Sequence, residues 1–443
     1  FGAKGDGKAD DTEALTAMLR AERHVTLSHG KTYAVTSITC ASEIVINGNG
    51  ARLLQLPQRP DMGLPMIHLM VGNVQISDVQ FDGQRSLQPK DGFSDSFDTG
   101  RIGTGRAFRA GILADGAQRP ISGIRVSGCT FTEMYGACIA LREVADVLVE
   151  RNRATMTNFE LLHVTGATMS TKIRVTDNVC RQIGTGDPRV QSNGVVLSNV
   201  QDVIFAKNSF VSVERNALKL EQTCRDIVVD GNTLEGNFAD NFAFVQVQSL
   251  GTNHAENIVI SGNRATDVGA GFAFNTARLS NLVVENNEIV GTKGSTMGDG
   301  VQLANGDMRD VIVRGNAFRG IRRQGVYLGQ STKESRIADV IIANNEISGD
   351  AQKLGSGSAI LVAVFGGNEI PLVENIRITG NQTGPGLGEA NGIGCIMVSR
   401  RGTGKAIISR LVISNNKFAP RRSIALGVVI SPDFILHESE INN

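Results

Sequence analysis

The chain has 443 residues, with 44 basic side chains against 44 acidic ones, and so carries no formal net charge at neutral pH. Fifty-one glycines and 10 prolines, with no tryptophan and only 3 tyrosines, describe a chain full of tight turns. A neutral balance removes long-range attraction to nucleic acid or anionic lipid as a default partner, and no apolar run approaches the roughly 18–20 residues of a membrane-spanning helix.

At the N-terminus, Asp10 and Glu13 have the spacing of a capping box ahead of Ala14, Leu15, Met18 and Leu19, an apolar stripe at helical period. A short amphipathic helix is expected there, followed by strands at Val25-Thr26-Leu27 and Thr32-Tyr33-Ala34-Val35. Residues 1–40 therefore read as a cap of helix and opening strands. Residues 41–443 read as one continuous domain with a loop insertion at 82–120. The chain starts at Phe1 without methionine, so any leader is expected to have been trimmed; this does not reveal the localisation, and a secreted, periplasmic or virion-associated setting is a separate expectation.

One phrase then recurs through the chain: polar, aliphatic, any, aliphatic, any, Gly or polar, Asn. It appears as Asp146-Val147-Leu148-Val149 to Asn152 and again to Asn178, Asn208, Asn232, Asn263, Asn287, Asn316, Asn345, Asn381 and Asn416, at steps of 24 to 36 residues. Each copy alternates with period two, the mark of a short strand. A second short strand follows most copies, as in Gly194-Val195-Val196-Leu197 and Gly300-Val301-Gln302-Leu303. No helical pattern separates the strands, and no leucine consensus is present. The prediction is all-β: a single-stranded parallel β-helix of about twelve coils, with inward aliphatics stacking from coil to coil about 4.8 Å apart. The recurrent Asn, placed where each strand must bend, is expected to form a structural hydrogen-bonded ladder.

The opening Phe1-Gly2-Ala3-Lys4-Gly5-Asp6-Gly7, followed by Asp10-Asp11-Thr12-Glu13-Ala14-Leu15, resembles the corresponding segment of the pectate-lyase-like superfamily. That resemblance implies a right-handed parallel β-helix and a carbohydrate substrate; the superfamily includes polysaccharide lyases, glycosidases, tailspike depolymerases and alginate epimerases. Where alginate epimerases carry Asp-Pro-His-Glu, this chain reads Ala140-Leu141-Arg142-Glu143, and the polygalacturonase-type signatures are absent. The resemblance implies the fold, not the reaction.

Outward positions on the second strand form a polar column: Arg142, His163, Lys219, Glu221, Gln246, Asn275, Gln302 and Tyr327. Lys219 and Glu221 lie two apart and so share one side of a strand. The candidate catalytic residues are Lys219, Glu221 and His163, with Arg142, Gln246, Asn275, Gln302, Tyr327 and Arg109 binding substrate. Each has a plainer reading as a solvated surface side chain or local ion pair, Arg142 with Glu143 among them. Two chemistries suit such a groove. Hydrolysis needs two carboxylates flanking the bond; Glu221 is one, and Glu160, Glu143 or a loop Asp would supply the other. Elimination needs a cation or amide to neutralise a uronate and a base for the adjacent proton. Arg142, Gln246 or Asn275 suit the first role, and Lys219 or His163 the second. Arg101, Arg106 and Arg109 in the insertion favour an acidic glycan.

The competing class is a non-catalytic structural, adhesive or tailspike-type glycan-binding β-helix. Outward positions Leu148, Ile204, Val228, Val259, Val283, Ile312 and Ile341 form an apolar stripe, an interface signature that points to a homo-oligomer, a trimer in particular. No cofactor is expected; Asp91, Asp95 and Asp98 offer Ca²⁺ as the alternative, without the spacing of a calcium loop. The six cysteines form no Cys-x-x-Cys pair and read as small buried hydrophobes.

Overall fold

A computed structural model describes the chain apart from residues 59–62, 89–108, 185–191, 238, 250, 295–297, 331, 333, 350–357, 368–371, 385–395, 419–427, 433 and 443. Two compact units emerge, Phe1–Lys219 and Leu220–Asn443. Among the described residues, no helix is long and apolar enough to cross a membrane.

The first unit opens with the expected helix, Thr12–Ala21, which buries Leu15 and Leu19. The anticipated capping box is not what starts it. Asp11 occupies the N-cap without a side-chain cap bond; its carboxylate instead accepts from the amides of Lys4 at 2.7 Å and Gly5 at 3.1 Å. Those donors lie in the glycine-turned opening segment and outcompete the helix for the carboxylate, which pins that segment down.

Three parallel ladders follow in this unit. One runs through Thr32–Val35, Arg52–Gln55, Gln80–Asp82, Thr130–Thr132, Arg153–Thr157, Val179–Ile183 and Ser209–Val213. A second joins Val74–Ser77, Ile121–Ser127, Val144–Glu150, Ser170–Thr176 and Val195–Ala206. The third joins Ile67–Leu69, Ile112–Asp115, Ile139–Arg142 and Leu162–Thr165 to the start of Val195–Ala206. The strand Ile112–Asp115 lies inside the stretch expected to be an irregular insertion. Its short Ile-Leu-Ala core has no alternation to betray it, because Leu113 and Ala114 are both buried.

Inward side chains such as Val147, Val149, Ile173, Val175, Val203 and Phe205 are sealed from solvent. Aromatic rings stack across coils, as Phe81 on Phe131 at 4.7 Å. Each corner turns on a left-handed residue. Asp146, Lys172 and Asp202 bend the strands Val144–Glu150, Ser170–Thr176 and Val195–Ala206 from within, and Arg151, Asp177 and Lys207 precede the recurrent Asn, all with φ between 51° and 57°. Such backbone is costly for a side-chain-bearing residue, and the Asn that follows stabilises it. Asn178 Oδ1 accepts from both the backbone N (2.9 Å) and Nδ2 (3.0 Å) of Asn152. Asn152 Nδ2 also donates to Val126 O at 3.0 Å, and Asn178 repeats the pattern on Asn208 and Val149.

The second unit is built the same way. Its ladders include Ala255–Ser261, Arg278–Glu285, Asp307–Arg314, Ile337–Ala343 and Val373–Thr379, and Ala243–Ser249, Ala270–Thr276, Val301–Asn305, Val326–Gln330 and Ile360–Phe365. The Asn ladder runs from Asn232 through Asn263, Asn287, Asn316, Asn345 and Asn381 to Asn416, each Oδ1 accepting from the Asn before it. The expected structural role of this column is thus realised. Cys40, Cys129, Cys138, Cys180 and Cys224 are buried free thiols, and burial pushes Cys40 and Cys129 up to about 12. Cys395 lies outside the described residues.

Candidate functional site

In the first unit, the third ladder fixes which polar side chains meet. Arg142 is paired in register with Asp115 on one side and Thr165 on the other. Its Nη1 lies 3.6 Å from Asp115 Oδ2, so its partner is the neighbouring coil's carboxylate and not Glu143, as the sequence suggested. Glu143 turns away and accepts from the amides of Ala167 and Thr168. Burial raises the Glu143 carboxyl, but the amides of Thr168 and Ala167 outweigh it and hold the group below its usual range.

His163 is paired with Ala140, two residues before Arg142. Arg142 and His163 therefore share a face as diagonal neighbours on adjacent strands, about 7–8 Å apart between their α-carbons. Glu160 lies just before that strand, at a corner. Its side chain is only 3% exposed, and Oε2 lies 3.5 Å from His163 Nδ1. Oε1 accepts from the backbone of Asn193 at 3.3 Å, whose own Oδ1 takes Nδ2 of Asn216 at 2.9 Å. A second, shorter polar ladder thus anchors the carboxylate behind the imidazole. On the other side, His68 is paired with Leu113. Burial holds its imidazole below the ordinary value, against the opposing pull of Asp115. Asp115 and His68 were not among the expected site residues; what places them is the strand hidden in the insertion.

The remaining candidates fall elsewhere. Arg109 is buried, its guanidinium 5.0 Å from the centroid of the Tyr135 ring, so it backs the surface rather than lining it. Arg101, Arg106, Asp91, Asp95 and Asp98 lie outside the described residues. Lys219 and Glu221 alternate with buried Leu218 and Leu220 on the strand Leu218–Asp230, both half-buried and facing one side. The boundary between the units falls between Lys219 and Leu220. In the second unit, Gln246, Gln302 and Tyr327 stand in one column with Ala273 between the first two. Asn275 is set off from it by two residues, opposite Gln248. Glutamines and a tyrosine there offer hydrogen bonds and one ring, but no base.

The second unit also has a buried carboxylate at a corner. Asp299 is fully withdrawn from solvent; Oδ1 accepts from Gln324 N at 3.0 Å and Oδ2 lies 3.5 Å from Arg323 Nη1. Burial pushes the carboxyl up to about 6, against the pull of Arg323 and the Gln324 amide.

Residues 110–307 match a family model described as a right handed beta helix region. The chain is a right-handed parallel β-helix. No curated relative matches it. Among solved structures, this β-helix is similar to the N-terminal fragment of bacteriophage Phi29 gene product 12, at 14% identity and a TM-score of 0.64, covering 96% of this chain and 71% of that one. It is also similar to PfbA, a surface adhesin of Streptococcus pneumoniae, at 14% identity and a TM-score of 0.52, covering 81% and 90%. A third is a tailspike protein double mutant of E. coli bacteriophage HK620 in complex with a pentasaccharide, at 12% identity and a TM-score of 0.51, covering 96% and 77%. Identities this low establish the fold alone.

Proposed function

We propose that this β-helix acts on an acidic polysaccharide by β-elimination at the outward face of its first unit. The observation that carries this reading is the pairing of Glu160 with His163 beside Arg142 and Asp115. Glu160 sits behind the ring and orients Nδ1, and the imidazole is the group proposed to act on substrate, the nucleophile-and-orienter logic applied to a base. Arg142, 24% exposed at its side chain, supplies a planar fork for a uronate carboxylate. His163 takes the proton from the carbon next to that carboxylate. The C–H electron pair becomes the ring double bond, the bond to the glycosidic oxygen breaks, and the departing oxygen takes a proton from water. Arg142 stabilises the charge that builds on the carboxylate meanwhile.

Elimination is favoured over hydrolysis because the local carboxylates are engaged elsewhere: Asp115 with Arg142, Glu160 sealed behind His163, and Glu143 with the amides of Ala167 and Thr168. The test is incubation of the full chain with polygalacturonate and alginate. Ultraviolet absorbance of an unsaturated product supports the proposal. New reducing ends without that absorbance replace it with hydrolysis, and neither signal rejects catalysis on these glycans.

A second reading, lateral association of a non-catalytic helix, is favoured by the apolar stripe. In the second unit, Val228, Val259, Val283, Ile312 and Ile341 form one unbroken register column, with Val228 and Ile341 each 37% exposed. In the first unit, Arg125 and Arg174 alternate with Leu148 and Ile204, so the stripe is shorter than the sequence suggested. The occupant proposed is a second copy of this chain. Sedimentation equilibrium giving only monomer up to 100 μM, about the range of weak interfaces, would reject it.

A further inference from the structure

The second unit carries a cleft of about 560 Å³ over the opening residues of Ala255–Ser261, Arg278–Glu285, Asp307–Arg314 and Ile337–Ala343. Its position follows from one register column: Glu256, Ser280, Arg309, Ala338 and Glu374 stand on consecutive coils. Ser280 and Ala338 are too short to fill the space on either side of Arg309, so the surface sinks there. The end members are occupied. Glu374 takes Arg410 and Arg336, and Glu256 lies 4.0 Å from Arg225.

The middle is not occupied. Arg278, Arg309 and Asp310, all exposed, make no ion pair or side-chain hydrogen bond among the described residues. Asp310 interrupts a further chain of polar contacts: Asn281 donates to Asn257 and Asn257 to Asp226, each at 2.8 Å, and Asn375 donates to Asp339. Asp310 and Asp339 face each other on adjacent coils, about 5 Å apart in the backbone, with no amide between them. Side-chain amides link Asp226, Asn257 and Asn281 and join Asn375 to Asp339; among the described residues, the Asp310 carboxylate takes no such link.

Carboxylates only accept and guanidinium groups only donate. With Glu256 already set against Arg225, Asp307, Asp310 and Asp339 balance Arg278, Arg309 and Arg336, and a cleft offering both kinds of group suits a ligand that is at once donor and acceptor and carries no charge. Paired hydroxyls of a sugar meet that description. We infer that this cleft is a binding site for a neutral oligosaccharide laid along the coils, separate from the face proposed for elimination.

The test presents the full chain to an array of neutral glucan, mannan and galactan oligosaccharides beside oligogalacturonates, with affinities then measured by calorimetry. Binding of at least one neutral oligosaccharide is expected. Arg309→Ala should weaken it at least tenfold, Ser280→Tyr, which fills the cleft, should abolish it, and the remote Glu235→Gln should leave it unchanged. Thermal melts identify any variant that fails to fold, and Asp310→Asn, a surface change of equal volume, supplies the fallback with a loss of at least fivefold. Failure to bind any neutral oligosaccharide, or undiminished binding in both Arg309→Ala and Asp310→Asn, overturns the inference; neither result bears on cleavage of uronates by the first unit.

Discussion

Glu160 and His163 form a carboxylate–imidazole pair at the corner of one coil, Oε2 to Nδ1 at 3.5 Å, with the carboxylate almost wholly withdrawn from solvent. A sealed acid three residues before a partly exposed histidine is an orienting group. The contact is long for a hydrogen bond and would shorten as the imidazole gains a proton and a positive charge.

If that pair is the working base, Glu160→Gln should lower kcat roughly a hundredfold with KM changed less than threefold, while His163→Ala should abolish elimination. Steady-state rates on the polysaccharide cleaved by the wild type decide it. A Glu160→Gln enzyme at full rate would remove Glu160 from the mechanism.

Arg142 is asked to hold a carboxylate through two parallel donors, which lysine cannot copy. Arg142→Lys should lose roughly 10²-fold in kcat/KM on a uronate polymer, and Arg142→Ala still more. Methyl-esterified substrate should lose the difference between wild type and Arg142→Lys. Equal losses on esterified and free substrate would show that Arg142 does not read the carboxylate.

The Asn ladder makes a stability prediction. Asn287 accepts from Asn263 N and Nδ2 and donates to Ile260 O and Asn316 Oδ1. Asn287→Ala would remove the acceptor of the buried Asn263 N and Nδ2 and the donor to Ile260 O and Asn316 Oδ1, at about 3 kcal/mol. Urea unfolding should show a lower midpoint with an unchanged slope. A loss below about 1 kcal/mol would mean that the ladder is a consequence of stacking and not a cause.

Asp299 predicts a pH dependence of the opposite sense to most carboxylates. Its folded-state value is raised from 3.8 to about 6, so between those values the native protein keeps a proton that the unfolded chain has already lost. Stability contributed by this group therefore falls as pH rises from about 4 to 6 and stays low above that. Asp299→Asn should stabilise the protein above pH 6, by up to about 3 kcal/mol, and change little below pH 4. Melting temperatures measured across that range check the sign; a variant less stable at pH 8 would show that Arg323 more than compensates the buried charge.

The fold was legible in the chain because it is repeated. Alternating aliphatics, a following Asn and glycine-rich corners recur every 24 to 36 residues, and each copy votes for the same short strand and the same turn. The ladder role of the Asn follows from its position alone. The site was legible only in part. Arg142 and His163 could be placed on outward positions, but their partners could not: Asp115 lies in a strand too short to alternate, and Asp10 with Glu13 mimicked a cap that the opening amides of Lys4 and Gly5 draw from Asp11 instead.

What the sequence determined by itself was the kind of coil and which side chains point inward, since period-two alternation is a local property of the backbone. What only the tertiary structure decided was which outward side chains stand side by side: Asp115 with Arg142, Glu160 with His163, and Arg309 in the gap between Ser280 and Ala338. Those neighbours belong to different coils, and because the coils differ in length, no fixed sequence offset links them; hydrogen bonding between stacked strands sets the register.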